Sequence, residues 1–214
     1  MTNNYWLKRW QDNDIGFHEQ KVNPYLDRYF TNLNVKQNGR VFVPLCGKTN
    51  DIGWLLEKQF KVVGVELSEE AIIQLFDSLS LTAKVTTYGA LKLYQANNLT
   101  IWVGDIFSLS STLIGVVDAI YDRGALVALP LELRAKYTAH LIQITNNAPQ
   151  LLICCVYDQS KRDGTPYSVT AQEVFDHYHR VYTLKLVKCQ LIKNGIKGVE
   201  PANAFVWLLS KNNC

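Results

Sequence analysis

The chain lacks the motifs that usually announce a chemistry. Neither G-x-G-x-x-G nor the Walker pattern G-x-x-x-x-G-K-[ST] occurs, so the standard pyrophosphate cradles are absent. Gly47-Lys48-Thr49 resembles the end of a Walker loop, but Phe42 stands where its first glycine belongs. The five cysteines form no C-x-x-C pair. His177 and His179 lie two apart on an expected helix and so point to different faces, and no metal site is expected. The odd cysteine count, with Cys154 and Cys155 adjacent in an apolar run, suits reduced thiols in a cytoplasmic protein. No Ser-His-Asp or Cys-His set stands out. No apolar run is long enough to span a bilayer, and the start, MTNNYWLKRWQD, has no signal-peptide core. A net charge of +3, with Lys and Arg scattered, is too mild to argue for nucleic acid or a membrane surface. No heptad or long apolar edge is evident, so a monomer is the default. At 214 residues a single domain over 1–214 is expected.

What is present centres on residues 40–66. Val41, Phe42, Val43 and Leu45 form an apolar run suited to a buried strand. Cys46-Gly47 forces a turn; Thr49, Asn50 and Asp51 offer helix-capping oxygens before Ile52, Trp54, Leu55 and Leu56. A second apolar run, 62–65, ends in Glu66, about twenty residues after Gly47. That is the separation at which an acid meets a ribose hydroxyl in a nucleotide-binding βαβ unit. Without a pyrophosphate motif, S-adenosyl-L-methionine fits better than a dinucleotide: it asks for a close-approaching turn and a ribose acceptor. On spacing alone the unit is also compatible with an ordinary βαβ and a surface glutamate.

The remaining elements follow in order. Trp6 and Trp10 share a helix face, and Asn23-Pro24 starts a second helix bearing Leu26, Tyr29, Phe30 and Leu33; residues 1–33 read as a helical cover on a core of 40–214. Ser68 can cap a helix with Ala71, Ile72, Leu75 and Phe76 on its apolar face. Residues 80–100 show no clean period and read as an excursion. Strands are expected at 100–103, 116–121, 151–156, 184–192 and 204–209, the last two antiparallel, and helices at 131–144 and 170–182. Arg123 falls after a strand end, where ligands gather in open α/β sheets. A structural pair with Asp122 is its alternative role. Asp105 either approaches an adenine or caps the next turn. The polar loop 157–169 is a candidate acceptor wall.

VFVPLCGK (41–48) followed by VVGVELSE (62–69) resembles the thiopurine S-methyltransferase family. The resemblance continues collinearly through WLKRW (6–10), IGFH (15–18), VNP (22–24), GDIF (104–107), DAIYDRGALVALP (118–130), YDQS (157–160) and GTPYSV (164–169). It implies an α/β, Rossmann-like class I S-adenosylmethionine-dependent methyltransferase fold: a mostly parallel sheet with a C-terminal antiparallel strand and helices on both faces. It implies methyl transfer from S-adenosyl-L-methionine to the sulfur of a small thiol, and in some bacterial members to selenium or tellurium species. Motif matching and position together assign Trp10, Leu45, Glu66 and Arg123 to the cofactor, with Asp105 a further cofactor candidate from its place after a strand. Phe17 and Pro166 fall beside the acceptor, with Arg123 as the catalytic candidate. The family has Gly-Pro-Pro where this chain has Gly164-Thr165-Pro166, which leaves the loop less restrained, and a second arginine where alignment places Lys185. A halide or chalcogen methyltransferase on the same fold, and a binding module without turnover, are the alternatives.

Overall fold

The computed structural model describes residues 3–212. Seven helices are described: α1 (Asn3–Gln11), α2 (Pro24–Tyr29), α3 (Asp51–Glu57), α4 (Glu69–Ser78), α5 (Ser111–Ile114), α6 (Leu131–Ile144) and α7 (Ala171–Tyr178). Nine strands accompany them: β1 (Arg40–Val43), β2 (Lys61–Glu66), β3 (Lys84–Tyr88), β4 (Leu91–Ala96), β5 (Leu99–Val103), β6 (Ala119–Arg123), β7 (Gln150–Tyr157), β8 (Tyr182–Leu191) and β9 (Ala202–Lys211). The strands form one sheet in the order β3-β4-β5-β2-β1-β6-β7-β9-β8. The five central strands, β5, β2, β1, β6 and β7, run parallel, and β9 then β8 add antiparallel beyond β7.

Alternation along each strand divides the core in two. Phe42, Val63, Ile120 and Leu152 face one side, where Tyr137 and Leu141 of α6 and Val174 and Tyr178 of α7 cover them. Val41, Val43, Val62, Tyr121 and Leu151 face the other, against Leu26 of α2, Leu55 of α3 and Ile72 of α4. Burial on both faces explains why these strands read as continuous apolar runs.

Residues 84–96 are an antiparallel hairpin that extends the sheet past β5. Gly89 (φ 58°) occupies the first of two loop positions, where a primed turn needs positive φ. β3 is an exposed edge and carries no apolar period, which is why the sequence hides it. Two boundaries also differ from expectation. The strand expected at 116–121 runs Ala119–Arg123: Val116 is 83% exposed, and Asp118 receives the Arg40 N–H at 2.7 Å just before pairing begins. The helix expected to reach 182 ends at Tyr178, and Tyr182 opens β8.

Caps follow the expected chemistry at most starts. The Asn23 side chain accepts from Tyr25 N at 2.9 Å with Pro24 in the first turn, and Ser68 Oγ accepts from Ala71 N at 3.3 Å. At α3 the N-cap Asn50 makes no side-chain cap bond; Thr49 Oγ1 accepts the Asp51 N–H at 3.3 Å instead. Asn50 Nδ2 donates to the Glu19 carbonyl at 3.0 Å, which ties the segment after α1 to the core.

Candidate active site

The chain runs from β1 outward to β2 in one direction and places β6 on the other side of β1. The sheet order therefore reverses between β1 and β6, and a crevice opens at such a point beyond the carboxyl ends of the strands. Leu45 follows β1 and Arg123 ends β6, so they flank it. Glu66 ends β2, two strands and about 10 Å across from Arg123. Asp105 follows β5, the next strand out.

The turn after β1 is held in an uncommon shape. Leu45 has φ 44° and Gly47 φ 51°. A left-handed leucine costs on the order of 1–3 kcal/mol, and such strain concentrates at functional sites. Cys46 N donates to the Val65 carbonyl at 2.9 Å, which locks the turn onto β2. Glu66 is only 6% exposed. One carboxylate oxygen accepts the Gly47 N–H at 2.8 Å and the other the Ser68 N–H at 2.9 Å. Burial raises the Glu66 carboxyl above its ordinary range, against the backbone donors of Ser68, Gly47 and Leu67 that lower it. A carboxylate has roughly four acceptor positions; the close N–H bonds of Gly47 and Ser68 fill two, and even with the Leu67 N–H counted capacity for a hydroxyl donor is left.

The cover closes over this turn. Trp10 is 4% exposed, and a Cβ on Gly47 would stand 3.0 Å from its Cζ2. Only glycine lets the indole approach so closely at that φ. Lys48 Nζ lies 5.9 Å from the Trp10 ring. Phe17 meets Trp10 edge-on at 5.4 Å and Trp6 at 5.6 Å, and is 37% exposed. Two residues on, Glu19 pairs with the Arg123 guanidinium. His18 between them is held below its usual range by burial and then by Lys48 and Arg123, against Glu19.

The structure replaces the structural partner considered for Arg123. Asp122 does not hold it. The Asp122 side chain points to the opposite face, accepting Tyr137 Oη–H at 2.7 Å and Leu126 N–H at 3.2 Å. Burial pushes Asp122 up to about 6, against those donors and Ala125 N–H. The folded value lies above the ordinary unfolded one near 3.9, so protonation favours the folded state. The resulting stability is full below about pH 4 and is lost as pH rises through about 6. Native protein is therefore expected to lose about 1 kcal/mol relative to Asp122→Asn between about pH 5 and 7.5. Urea unfolding of both proteins across that range checks it; a constant difference would show that Asp122 does not titrate there.

Asp105 caps the turn after β5, its Oδ1 accepting Phe107 N–H at 2.9 Å. Pro166 lies in the loop after β7, and its carbonyl accepts from Tyr157 Oη at 2.6 Å. The loop that lacks a second proline is strapped by hydrogen bonds: Tyr167 N to Val127 O at 2.7 Å, Val169 N to Cys155 O at 2.9 Å and Ser168 N to Gln159 Oε1 at 2.7 Å. Thr165, in place of the family's proline, is buried. Lys185 is exposed on outer strand β8, opposite Leu208 and three strands from β6, so it stands apart from Arg123. Cys46 is buried, and burial followed by the Glu66 charge raises its thiol well above its ordinary range, which makes it inert as a nucleophile. Glu19, the Arg123 partner, escaped sequence reasoning; its place directly after IGFH was the available signal.

Comparison with known proteins identifies the class. The fold is that of S-adenosylmethionine-dependent methyltransferases. A Burkholderia thailandensis 1,6-didemethyltoxoflavin-N1-methyltransferase, crystallised with 1,6-didemethyltoxoflavin and S-adenosylhomocysteine, superposes with a TM-score of 0.65 at 15% identity, covering 99% of this chain and 87% of that one. A TehB-like SAM-dependent methyltransferase from Corynebacterium glutamicum gives 0.57 at 12% identity, covering 98% of each chain. The family model described as Thiopurine S-methyltransferase (TPMT) matches residues 1–205. Relatives named thiopurine S-methyltransferase from Xanthobacter autotrophicus and Legionella pneumophila (strain Paris) are 45% and 40% identical, covering 99% and 97% of this chain and 100% and 97% of their own lengths. The chain belongs to the thiopurine S-methyltransferase family and is an S-adenosylmethionine-dependent methyltransferase.

Proposed function

We propose that the protein methylates the sulfur of a small aromatic or heterocyclic thiol, with Glu66, Leu45 and Trp10 holding the cofactor and Arg123 facing the acceptor. The observation that carries this reading is the convergence of a buried, half-satisfied carboxylate, a strained turn and a guanidinium at one sheet crevice. S-adenosyl-L-methionine, when bound, supplies a methyl on a sulfonium, whose carbon–sulfur electron pair leaves with a neutral thioether. The free positions of Glu66 suit the ribose hydroxyls. Trp10 and Phe17 offer aromatic faces that attract a sulfonium charge. Asp105, two residues past β5, lies one strand beyond Glu66 and suits the adenine end. The nucleophile needs no base on the protein if it arrives as a thiolate; Arg123 steers that anion once it exchanges Glu19 for the acceptor. The cover excludes water, and the rate comes from alignment in a dry site. Phe17 and Pro166 suit opposite sides of the acceptor, and the Arg9 guanidinium lies 5.4 Å from the Phe17 ring. A small-molecule acceptor, a monomer and residues 1–33 as the cover complete the reading.

The test is an acceptor screen with S-adenosylmethionine across aromatic thiols, selenite, tellurite, halides and amines, reading the demethylated cofactor. Turnover on aromatic thiols is the expected result. Turnover confined to halides or to selenium and tellurium species would replace sulfur as the acceptor, and none on any of them would remove the enzymatic reading of this site.

A further inference from the structure

We propose that Arg9, Arg162 and Lys197 form an anion-recognition subsite beside the acceptor position, so that the acceptor carries a carboxylate in addition to its nucleophilic atom. This rests on the acceptor position proposed above. The three cations come from separate segments, α1, the loop after β7, and the connection between β8 and β9, and the charges of Arg162 and Arg9 both act on Lys197. Lys197 Nζ donates to the Thr165 carbonyl at 3.0 Å. Arg9 Nη1 donates to Tyr5 Oη at 3.0 Å, and Thr165 helps to hold the Tyr5 hydroxyl below its ordinary range. The Arg9 guanidinium also lies over Phe17, so the cluster adjoins the aromatic wall of the site.

The charges are poorly balanced from within. Asp14 answers Arg9 at 2.9 Å. Among the described residues neither Arg162 nor Lys197 forms an ion pair, and Arg162 Nε is buried without a hydrogen-bond partner. Burial, then Arg162 and Arg9, hold the Lys197 ammonium below its ordinary range, against Tyr5 and Asp14. Burial raises the Tyr5 hydroxyl, but Arg9 and Thr165 hydrogen bonds, with the Arg9 and Lys197 charges, bring it below its ordinary range. One cation would suffice to cap the Thr165 carbonyl. A buried guanidinium N–H with no acceptor is costly, and a planar oxyanion supplies what it lacks. Clustered positive charge with a partly desolvated wall also concentrates anions. An aromatic ring against Phe17 with its carboxylate directed toward Arg162 and Lys197 satisfies each of these groups. A neutral thiol satisfies none of them.

The test uses product-type ligands, so that it does not depend on turnover. Binding of 3-(methylthio)benzoate and of thioanisole is measured by calorimetry on the full chain at saturating S-adenosylhomocysteine. The carboxylate ligand is expected to bind about tenfold more tightly, the scale of a charged hydrogen bond. That ratio should shrink as ionic strength rises, and collapse toward one in Arg162→Gln, Lys197→Gln and the double variant. Equal binding by the native protein, no binding of either ligand, or a preference that survives in the double variant would overturn the subsite. A retained carboxylate preference in a protein that methylates no thiol would keep the subsite and reject sulfur as the acceptor.

Discussion

Glu66→Ala is expected to abolish the thermal stabilisation that S-adenosylhomocysteine confers on the native protein. At about a hundredfold excess over the dissociation constant, linkage gives the native protein roughly 2.7 kcal/mol. The carboxylate has two kinds of work in this arrangement. It satisfies the N–H groups of Gly47 and Ser68, and its remaining positions are the ones proposed for ribose hydroxyls. Each charged hydrogen bond is worth about 1.5–3 kcal/mol, so removing two lowers affinity by roughly a hundredfold or more. The unliganded variant also melts lower, because two buried donors lose their acceptor, an effect partly offset by relief of an unfavourably buried carboxylate. Calorimetric titration separates the two effects, since affinity is read at a temperature where both proteins are folded. Affinity of the native protein should also weaken on acidification at a pH above the ordinary glutamate range, as Glu66 takes up a proton. A variant that binds S-adenosylhomocysteine as tightly as the native protein would remove Glu66 from the cofactor site.

Arg123→Ala is expected to lower kcat/KM for an aromatic thiol by about 10²–10³, the cost of losing one charged donor in a dry site. Arg123→Lys keeps the charge and loses the planar fork, so its loss should be smaller. Folding should survive both, because the one ion partner described for Arg123 is Glu19, which is 53% exposed and on the cover. Phe17→Ala removes a wall and no charge; it should raise KM for the acceptor and leave kcat less affected. Steady-state kinetics on the three variants separates these roles. Near-native specificity constants in Arg123→Ala would reduce the arginine to a clasp for the cover and move the acceptor elsewhere.

The parts of this fold that were legible in the sequence are those where burial forces a pattern. β1 and β2 are apolar on both faces because layers of helix cover both faces, and a buried parallel strand leaves that signature. Ser68 and Asn23 were legible because capping is local chemistry. The hairpin at 84–96 was not, because its outer strand faces solvent and its identity lies in pairing with β5, which no local window contains. The partner of Arg123 was not legible for a similar reason. Asp122 is its neighbour in sequence, but adjacent residues of a strand point to opposite faces, and Glu19 approaches from a hundred positions away in the chain. Lys185 matched a family position by alignment, yet it lies on an outer strand, and the cations that reach the acceptor loop come from elsewhere.

The order β7-β9-β8 has a consequence for synthesis. β8 is made before β9, yet among the described strands it pairs only with β9. A nascent chain that has emerged through Leu191 thus carries a finished outer strand with nothing to join, while β7 presents a bare edge to solvent. Such edges recruit other chains. The vulnerable interval closes only when residues 202–211 emerge and slot between the two strands. Ribosome stalling or premature termination anywhere from 158 to 201 should therefore release a sticky, protease-sensitive species, whatever the state of the catalytic crevice.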